Sequence, residues 1–251
     1  MVKREGVSVV IPNLNMGRFL PDALASILRQ GEPVDEILLV DAGSDDDSLE
    51  VMAGLAARHQ QIRLLHSDRK NPSAVRNRGI EAATGDIIAF LDADDLWPAD
   101  KLSRQLARLR GEPQVGVVSG FVQYFDRLDR ETLAPATDSR TETLFHVHLG
   151  AAVFRRSVFD AIGLFEESLL YSEDVDLLLR IREADIPMTI IRARTLYYRR
   201  HDSSLMAQTT PAKERDFKRV IAASLVRRRR KGAGPLPPFE TLIEPEAGSQ
   251  G

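Results

Sequence analysis

The chain has 251 residues, 43% of them hydrophobic and 28% charged, enough for one substantial core in an undivided α/β domain. Its formal net charge of −3 gives no overall attraction to nucleic acid or acidic membranes, so any such binding must be local. The absence of cysteine excludes disulfides and thiolate metal sites and fits a reducing compartment.

The opening "MVKREGVSVVIP" has too short an apolar run for a signal peptide. No later stretch has enough consecutive apolar residues to span a bilayer, so a soluble, cytoplasmic protein is expected. Strand-length apolar runs then alternate with helix-period segments: "VSVVIP", "GRFLPDALASILRQ", "DEILLVD", "DDSLEVMAGLAARH", "IRLLHS", "PSAVRNRGIEAAT", "DIIAFLD" and "PADKLSRQLARLR". That order predicts parallel strands joined by right-handed helical crossovers, with the ligand crevice beyond the strands' C-terminal ends. Pro72 and Pro98 suit first helical positions, and Gly31 and Gly111 suit helix ends.

From Val115 the rhythm changes to "VGVVSGFVQYFD", a polar stretch to about Thr143, and "FHVHLGAAVFRRSVFDAI". A helix beginning near Ser172 and a last strand "RTLYYRRH" follow, completing the sheet and the far wall of the cleft. Residues 211–231 read as a helix with nine cations (Lys213, Arg215, Lys218, Arg219, Arg227 to Arg230 and Lys231) against Glu214 and Asp216. The Pro-, Gly- and Glu-containing tail beyond Gly232 is expected to be disordered.

Polar groups recur where strands end: Asn13 and Asn15 after the first, Asp41 after the second, Asp68 after the third, and Asp92, Asp94 and Asp95 of "FLDADDLW" after the fourth. In a parallel sheet these ends share one edge. A D-x-D pair on a strand end offers hard oxygen ligands suited to Mg²⁺ or Mn²⁺ shared with substrate phosphates. Asp92 and Asp94 fit that role, and Asp95 reads as a cap for a helix at Pro98.

In this order and spacing, "VSVVIPNLN", "ILLVDAGSDD", "AVRNRGI", "GDIIAFLDADDLW", "GAAVFRRSVFDAIGLFEESLLYSEDVDLLLRI" and "YYRRHDSSL" resemble the family 2 glycosyltransferases, from about Val7 to Ser204. The resemblance implies the GT-A fold, an α/β, Rossmann-like, mostly parallel sheet flanked by helices. Residues 1–114 would be the nucleotide-sugar-binding half and 115–210 the acceptor-binding and catalytic half, followed by the basic helix 211–231 and the tail 232–251. It implies Asp41 in the nucleotide-base pocket, Asp92 near the ribose, Asp94 as principal metal ligand and His201 approaching the metal and diphosphate. Pro12, Asn13, Asn15, Ala93 and Arg76 complete the implied donor site, and Asp174 matches the catalytic base. The implied reaction is metal-dependent, inverting transfer from a nucleoside-diphosphate sugar, a UDP-sugar first, to a hydroxyl of a carbohydrate or glycolipid acceptor. Cell-envelope polysaccharide or glycolipid synthesis is the implied setting, without a nucleic-acid partner. Two departures are visible: Leu14 stands where the family often has a tyrosine able to stack on the base, and Ala42 where an aspartate often follows Asp41.

Chemistry supports a base at Asp174 independently, since displacement at an anomeric carbon needs a proton acceptor opposite the leaving diphosphate. Against it stands a simple helix start, with Ser172 as cap and Glu173 and Asp174 favoured by the helix dipole; Glu173 is the reserve base. Asp176 reads as a surface partner of Arg180. His146 and His148 share one strand face and could bind metal, but with a carboxylate metal site already available they read as ordinary packed or exposed histidines. Trp97 is expected at the cleft wall, and strand alternation turns only one of Arg199 and Arg200 inward. The basic helix reads as a solvated surface, with contact to anionic lipid as the functional alternative and a peripheral membrane location its consequence. Two rival activities share these residues. One is a haloacid-dehalogenase-like phosphohydrolase, opposed by Leu96 and by the three strand-helix units before the motif; the other is a non-catalytic sugar-nucleotide-binding domain.

Overall fold

A computed structural model of the chain describes residues 4–145, 148–202 and 210–245. The first half is built from β1 (Val7–Asn13), β2 (Glu36–Asp41), β3 (Ile62–His66) and β4 (Ile87–Phe90). They are joined by α1 (Leu20–Leu28), α2 (Ser48–Arg58) and α3 (Pro72–Ala82), with α4 (Lys101–Gly111) after β4. All pairings in the order β4-β1-β2-β3 are parallel. β2 and β4 are buried at every position, as strands covered on both faces must be, whereas the edge strand β3 buries only Ile62 and opens Arg63, Leu64 and His66 to solvent.

The second half adds β5 (Val117–Phe125), the small hairpin β6 (Leu128–Asp129) and β7 (Ala134–Pro135), then β8 (Glu142–Leu144) and β9 (Val153–Arg155). After α5 (Arg156–Ile162) and α6 (Glu173–Glu183) comes the long strand β10 (Met188–Arg199), then α7 (Pro211–Arg230) and a short 3-10 turn at Phe239–Leu242. The main sheet runs β10-β5-β9-β4-β1-β2-β3, with β8 paired to β5 off that path. β9 is wedged antiparallel between β4 and β5, while β10 runs parallel to β5. A mostly parallel sheet between helix layers is therefore the architecture, as the apolar pattern predicts.

Strand alternation sorts the core into two layers. Val7, Val9 and Ile11 of β1 meet Leu24 and Ile27 of α1, Met52 of α2 and Leu102 and Leu106 of α4. Val10 faces the other way, among Val75 and Ile80 of α3, Phe159 of α5 and Leu177 and Ile181 of α6. On that face α3 lies so near β1 that a Cβ on Gly79 would fall 2.3 Å from Val10 Cγ1, which explains the glycine within "AVRNRGI". α7 lies along α6, tied by Arg227 to Glu183 at 2.6 Å.

Three expectations are corrected here. The helix does not begin at Pro98. Its first residue is Lys101, because the Pro98 carbonyl is taken up by a turn to Lys101 N (3.1 Å) and by Gln30 Nε2 (2.8 Å). Trp97 is fully buried rather than at the cleft wall, with Nε1 donating to the Gly150 carbonyl at 3.1 Å. The tail between 232 and 245 is not disordered: Ile243 pairs with Ile190 on the free edge of β10, and Glu244 N donates to the Ile190 carbonyl at 2.9 Å. An unpaired strand edge offers more hydrogen bonds than composition alone reveals. No helix among the described residues is long and apolar enough to cross a membrane.

Candidate functional site

The C-terminal ends of β1 and β2 are locked together by side chains. Asp41 Oδ1 accepts from Asn13 Nδ2 (3.0 Å) and Ser44 Oγ (2.6 Å), and Oδ2 accepts from the backbone N–H groups of Gly43 and Ser44 (2.8 and 3.0 Å). Burial alone would raise this carboxyl's pKa, yet these bonds together hold it below the ordinary aspartate value. Four bonds fill the acceptor positions of a carboxylate, so Asp41 shapes the turn around the crevice. Asn15, in a left-handed conformation with φ 57° that asparagine tolerates, exchanges hydrogen bonds with Asp45 (2.7 and 2.8 Å). Pro12 and Leu14 are half-buried beside them, and Ala42 is buried. Asp68 does not join: its side chain is 98% exposed and lies 3.5 Å from His66.

The acidic cluster follows β4. Asp92 Oδ1 accepts from Arg76 Nη2 at 2.8 Å, and the other arm of the same buried guanidinium reaches Glu173 Oε1 at 2.7 Å. Burial opposes charge on both groups, but the Arg76 guanidinium holds the Asp92 carboxyl low and the two carboxylates raise Arg76 further. Ala93, buried at the turn, separates Asp92 from Asp94.

Asp94 Oδ2 lies 2.9 Å from His201 Nε2, and the His201 ring rests against Phe19. Adjacent ligands of an octahedral Mg²⁺ or Mn²⁺, at roughly 2.1 Å from the ion, stand about 3 Å apart, so this pair has the spacing of two neighbours on one cation. The donors are hard oxygens and an imidazole, and the buried Asp95 Oδ2 beside them accepts no hydrogen bond from the described residues. The residues present therefore fit a divalent cation.

Asp95 is not a helix cap. Its Oδ1 accepts from Arg199 N of β10 at 2.9 Å, and burial, with Asp94 and Asp92 close by, pushes its carboxyl well above the aspartate range. Of the two strand-end arginines only Arg199 turns inward, and it binds Asp22 Oδ2 at 3.1 Å; Arg200 reaches Glu142 on the surface.

Asp174 stands in the first turn of α6. Ser172 before it has φ 62° and makes no side-chain capping bond, so the turn is shaped by its surroundings. Asp174 Oδ1 accepts from Val175 N at 2.7 Å, and burial together with neighbouring Glu173 raises its carboxyl to about 7. It lines a pocket with Ser119, Phe145, His148 and Leu178. Asp176 is no surface residue: buried, it binds Arg180 at 2.8 Å and faces Arg227 of α7.

His148 is the residue that sequence reasoning undervalued. Its Nε2 lies 3.8 Å from Asp92 Oδ2 and 3.9 Å from Asp95 Oδ2, so the acidic cluster and the Asp174 pocket meet at this ring. The "FHVHLG" spacing was the available signal, and His146 lies outside the described residues.

The sequence profile described as glycosyl transferase family 2 matches residues 8–163. Over 238 residues the chain is 28% identical to the uncharacterized glycosyltransferase EpsJ of Bacillus subtilis, covering 87% of this chain and 68% of EpsJ. Its fold is similar to S. aureus TarS 1-349 in complex with UDP-GlcNAc (TM-score 0.67, 17% identity, 88% of this chain and 66% of that one). It is similar also to the mannosyltransferase PcManGT of Pyrobaculum calidifontis in complex with GDP-Man and Mn²⁺ (TM-score 0.61, 21% identity, 94% and 67%). The chain spans about two thirds of the length of each of these three. With the matched profile covering more than half of the sequence, the chain belongs to glycosyl transferase family 2.

Proposed function

We propose that the chain transfers a sugar from a nucleoside-diphosphate sugar to an acceptor hydroxyl, with inversion at the anomeric carbon and a divalent cation on the donor diphosphate. The observation that carries this reading is the bridge made by Arg76, which ties Asp92 of the acidic cluster to Glu173, the neighbour of Asp174. A cation held by Asp94 and His201 would supply charge neutralisation for the departing diphosphate. Asn13 and Asn15 form the loop that receives the nucleotide, with Asp41 setting its turn. Arg76 keeps Asp92 ionised, and Asp174 takes the acceptor's proton as its oxygen attacks. A carboxyl raised to about 7 suits that task, since it is half ionised near neutrality and binds a proton readily. A UDP-sugar is the first choice of donor, because TarS binds UDP-GlcNAc; the GDP-Man complex of PcManGT makes GDP-sugars the second.

Calorimetric titration of UDP, GDP, TDP and CMP with and without Mn²⁺ tests this. The expected result is metal-dependent binding of one nucleoside diphosphate that disappears in Asp94→Ala. Hydrolysis of phosphate esters without nucleotide binding would instead assign the cluster to a phosphatase.

A lipid-linked or envelope acceptor is supported by α7. Phe217, Ile221 and Leu225, four residues apart, form an apolar stripe that is 49%, 36% and 42% exposed, beside Lys218, Arg228 and Arg229. An amphipathic basic helix of this kind suits an anionic bilayer surface. Vesicles containing phosphatidylglycerol are expected to carry the protein upward in flotation, and Arg228→Gln with Arg229→Gln and Arg230→Gln to weaken it. Wild type left at the bottom of the gradient would reject membrane contact.

A further inference from the structure

α7 holds the base-bearing helix at both ends. Arg227 pairs with Glu183, the last residue of α6, at 2.6 Å, and Asp216 Oδ2 accepts the Leu170 backbone N–H at 3.1 Å, just ahead of the first. Asp216 and Arg227 stand roughly three helical turns apart, which is the length of α6 itself. Arg219 of the same helix adds a bond to Ser168 Oγ at 2.8 Å. Asp216 is only 2% exposed, and the exposed Arg215 reaches its Oδ1 at 3.4 Å. A carboxylate buried this far costs stability that an apolar residue of its size does not, and no step of the proposed chemistry uses it.

The segment it holds is constrained. Ser172 has φ 62°, and a residue other than glycine keeps that conformation only where its surroundings impose it. On the α3 side Asn71 Nδ2 donates to the Glu167 and Leu169 carbonyls, each at 2.9 Å. On the α7 side the bond from Leu170 N to Asp216 falls two residues before Ser172 and four before Asp174. Released there, the chain would relax at Ser172 and swing the first turn of α6 away from the pocket that Asp174 shares with Ser119 and Leu178. We infer that Asp216 is a positioning residue: through the Leu170 N–H it holds the turn at Ser172 that aims Asp174 into its pocket. This rests on the reading of Asp174 as the base.

The charged groups facing Asp174 are Glu173 in its own turn and Arg76 of α3, with His148 across the pocket, and burial chiefly raises its carboxyl to about 7. A loosened turn admits water, so its titration midpoint should fall. Carbon-13 NMR of the full chain labelled at the aspartate carboxyls, with the Asp174 signal assigned by its loss in Asp174→Asn, reads that midpoint. Asp216→Ala removes the acceptor, whereas Asp216→Asn keeps a carbonyl oxygen for the Leu170 N–H. Asp216→Ala is expected to lower the midpoint by about one pH unit or more, and Asp216→Asn by less than about 0.3. Calorimetry in Mn²⁺ should find whichever of UDP and GDP binds held within about twofold of wild type by both variants. Arg219→Ala, at an exposed position, should move the midpoint the same way and decides the matter if Asp216→Ala does not fold. An unmoved midpoint, or equal movement in Asp216→Ala and Asp216→Asn, would overturn the inference and leave Asp216 merely fastening α7. Loss of nucleotide binding in Asp216→Ala would overturn it too, as damage to the whole fold. A wild-type Asp174 that titrates as an ordinary aspartate would bring down the base itself, and this inference with it.

Discussion

Asp174→Asn is expected to lower kcat by roughly 10²- to 10⁴-fold, the usual contribution of a general base, and to leave donor binding intact. The change keeps the shape and the bond from Val175 N and removes only the basic oxygen. The pH profile gives the sign. A base must be unprotonated to act, and burial beside Glu173 raises this carboxyl to about 7, so kcat/KM should climb through neutral pH and level off above it. Stability should move the other way. A carboxyl whose folded pKa exceeds its unfolded value favours folding below the unfolded pKa, and that advantage is lost as pH rises through about 7. Asp174→Asn escapes the cost of the buried charge and should melt no lower than wild type at pH 8. A variant that lost activity and melting temperature together would mark Asp174 as structural.

Arg76→Met is expected to destabilise the fold by about 3–5 kcal/mol, because the substitution removes the one cation shared by two enclosed carboxylates. Arg76 is 7% exposed and touches Asp92 at 2.8 Å and Glu173 at 2.7 Å. Without it both acids are left with uncompensated charge. The Asp92 carboxyl, no longer held low by the guanidinium, would then titrate higher, so the deficit should shrink on acidification as it takes up its proton. Urea titrations of both proteins at pH 8 and pH 5 measure this. A loss below about 1 kcal/mol at pH 8 would mean that water, rather than Arg76, stabilises the two carboxylates.

The parallel half of the fold was legible because strands covered on both faces leave continuous apolar runs, as "VSVVIP" and "DEILLVD" do. Asp41, Asp92 and Asp94 were legible for a related reason: a polar residue directly after such a run falls at the sheet's ligand edge. What escaped depends on partners far along the chain. Asp95 looked like a helix cap because its real partner, the Arg199 backbone, lies 104 residues away. His148 was hidden for a topological reason. It enters ahead of β9, which runs against its neighbours, so the start of one strand delivers a side chain to the edge where the others finish. Asp176 looked like an exposed helical pair until α7 covered it. The role proposed for Asp174 comes from the family resemblance and not from spacing, since an acidic first turn is equally a helix start.

The Ile243–Glu244 segment does more for β10 than extend it by a bridge. Composition marks it as expendable, yet it occupies backbone groups that would otherwise face a second molecule, and Glu244 adds a charge where an incoming strand would have to lie. A chain cut after Lys231 would keep the proposed chemistry while presenting a long open edge to its own copies. Its fate in concentrated solution would then be decided by self-association rather than by folding.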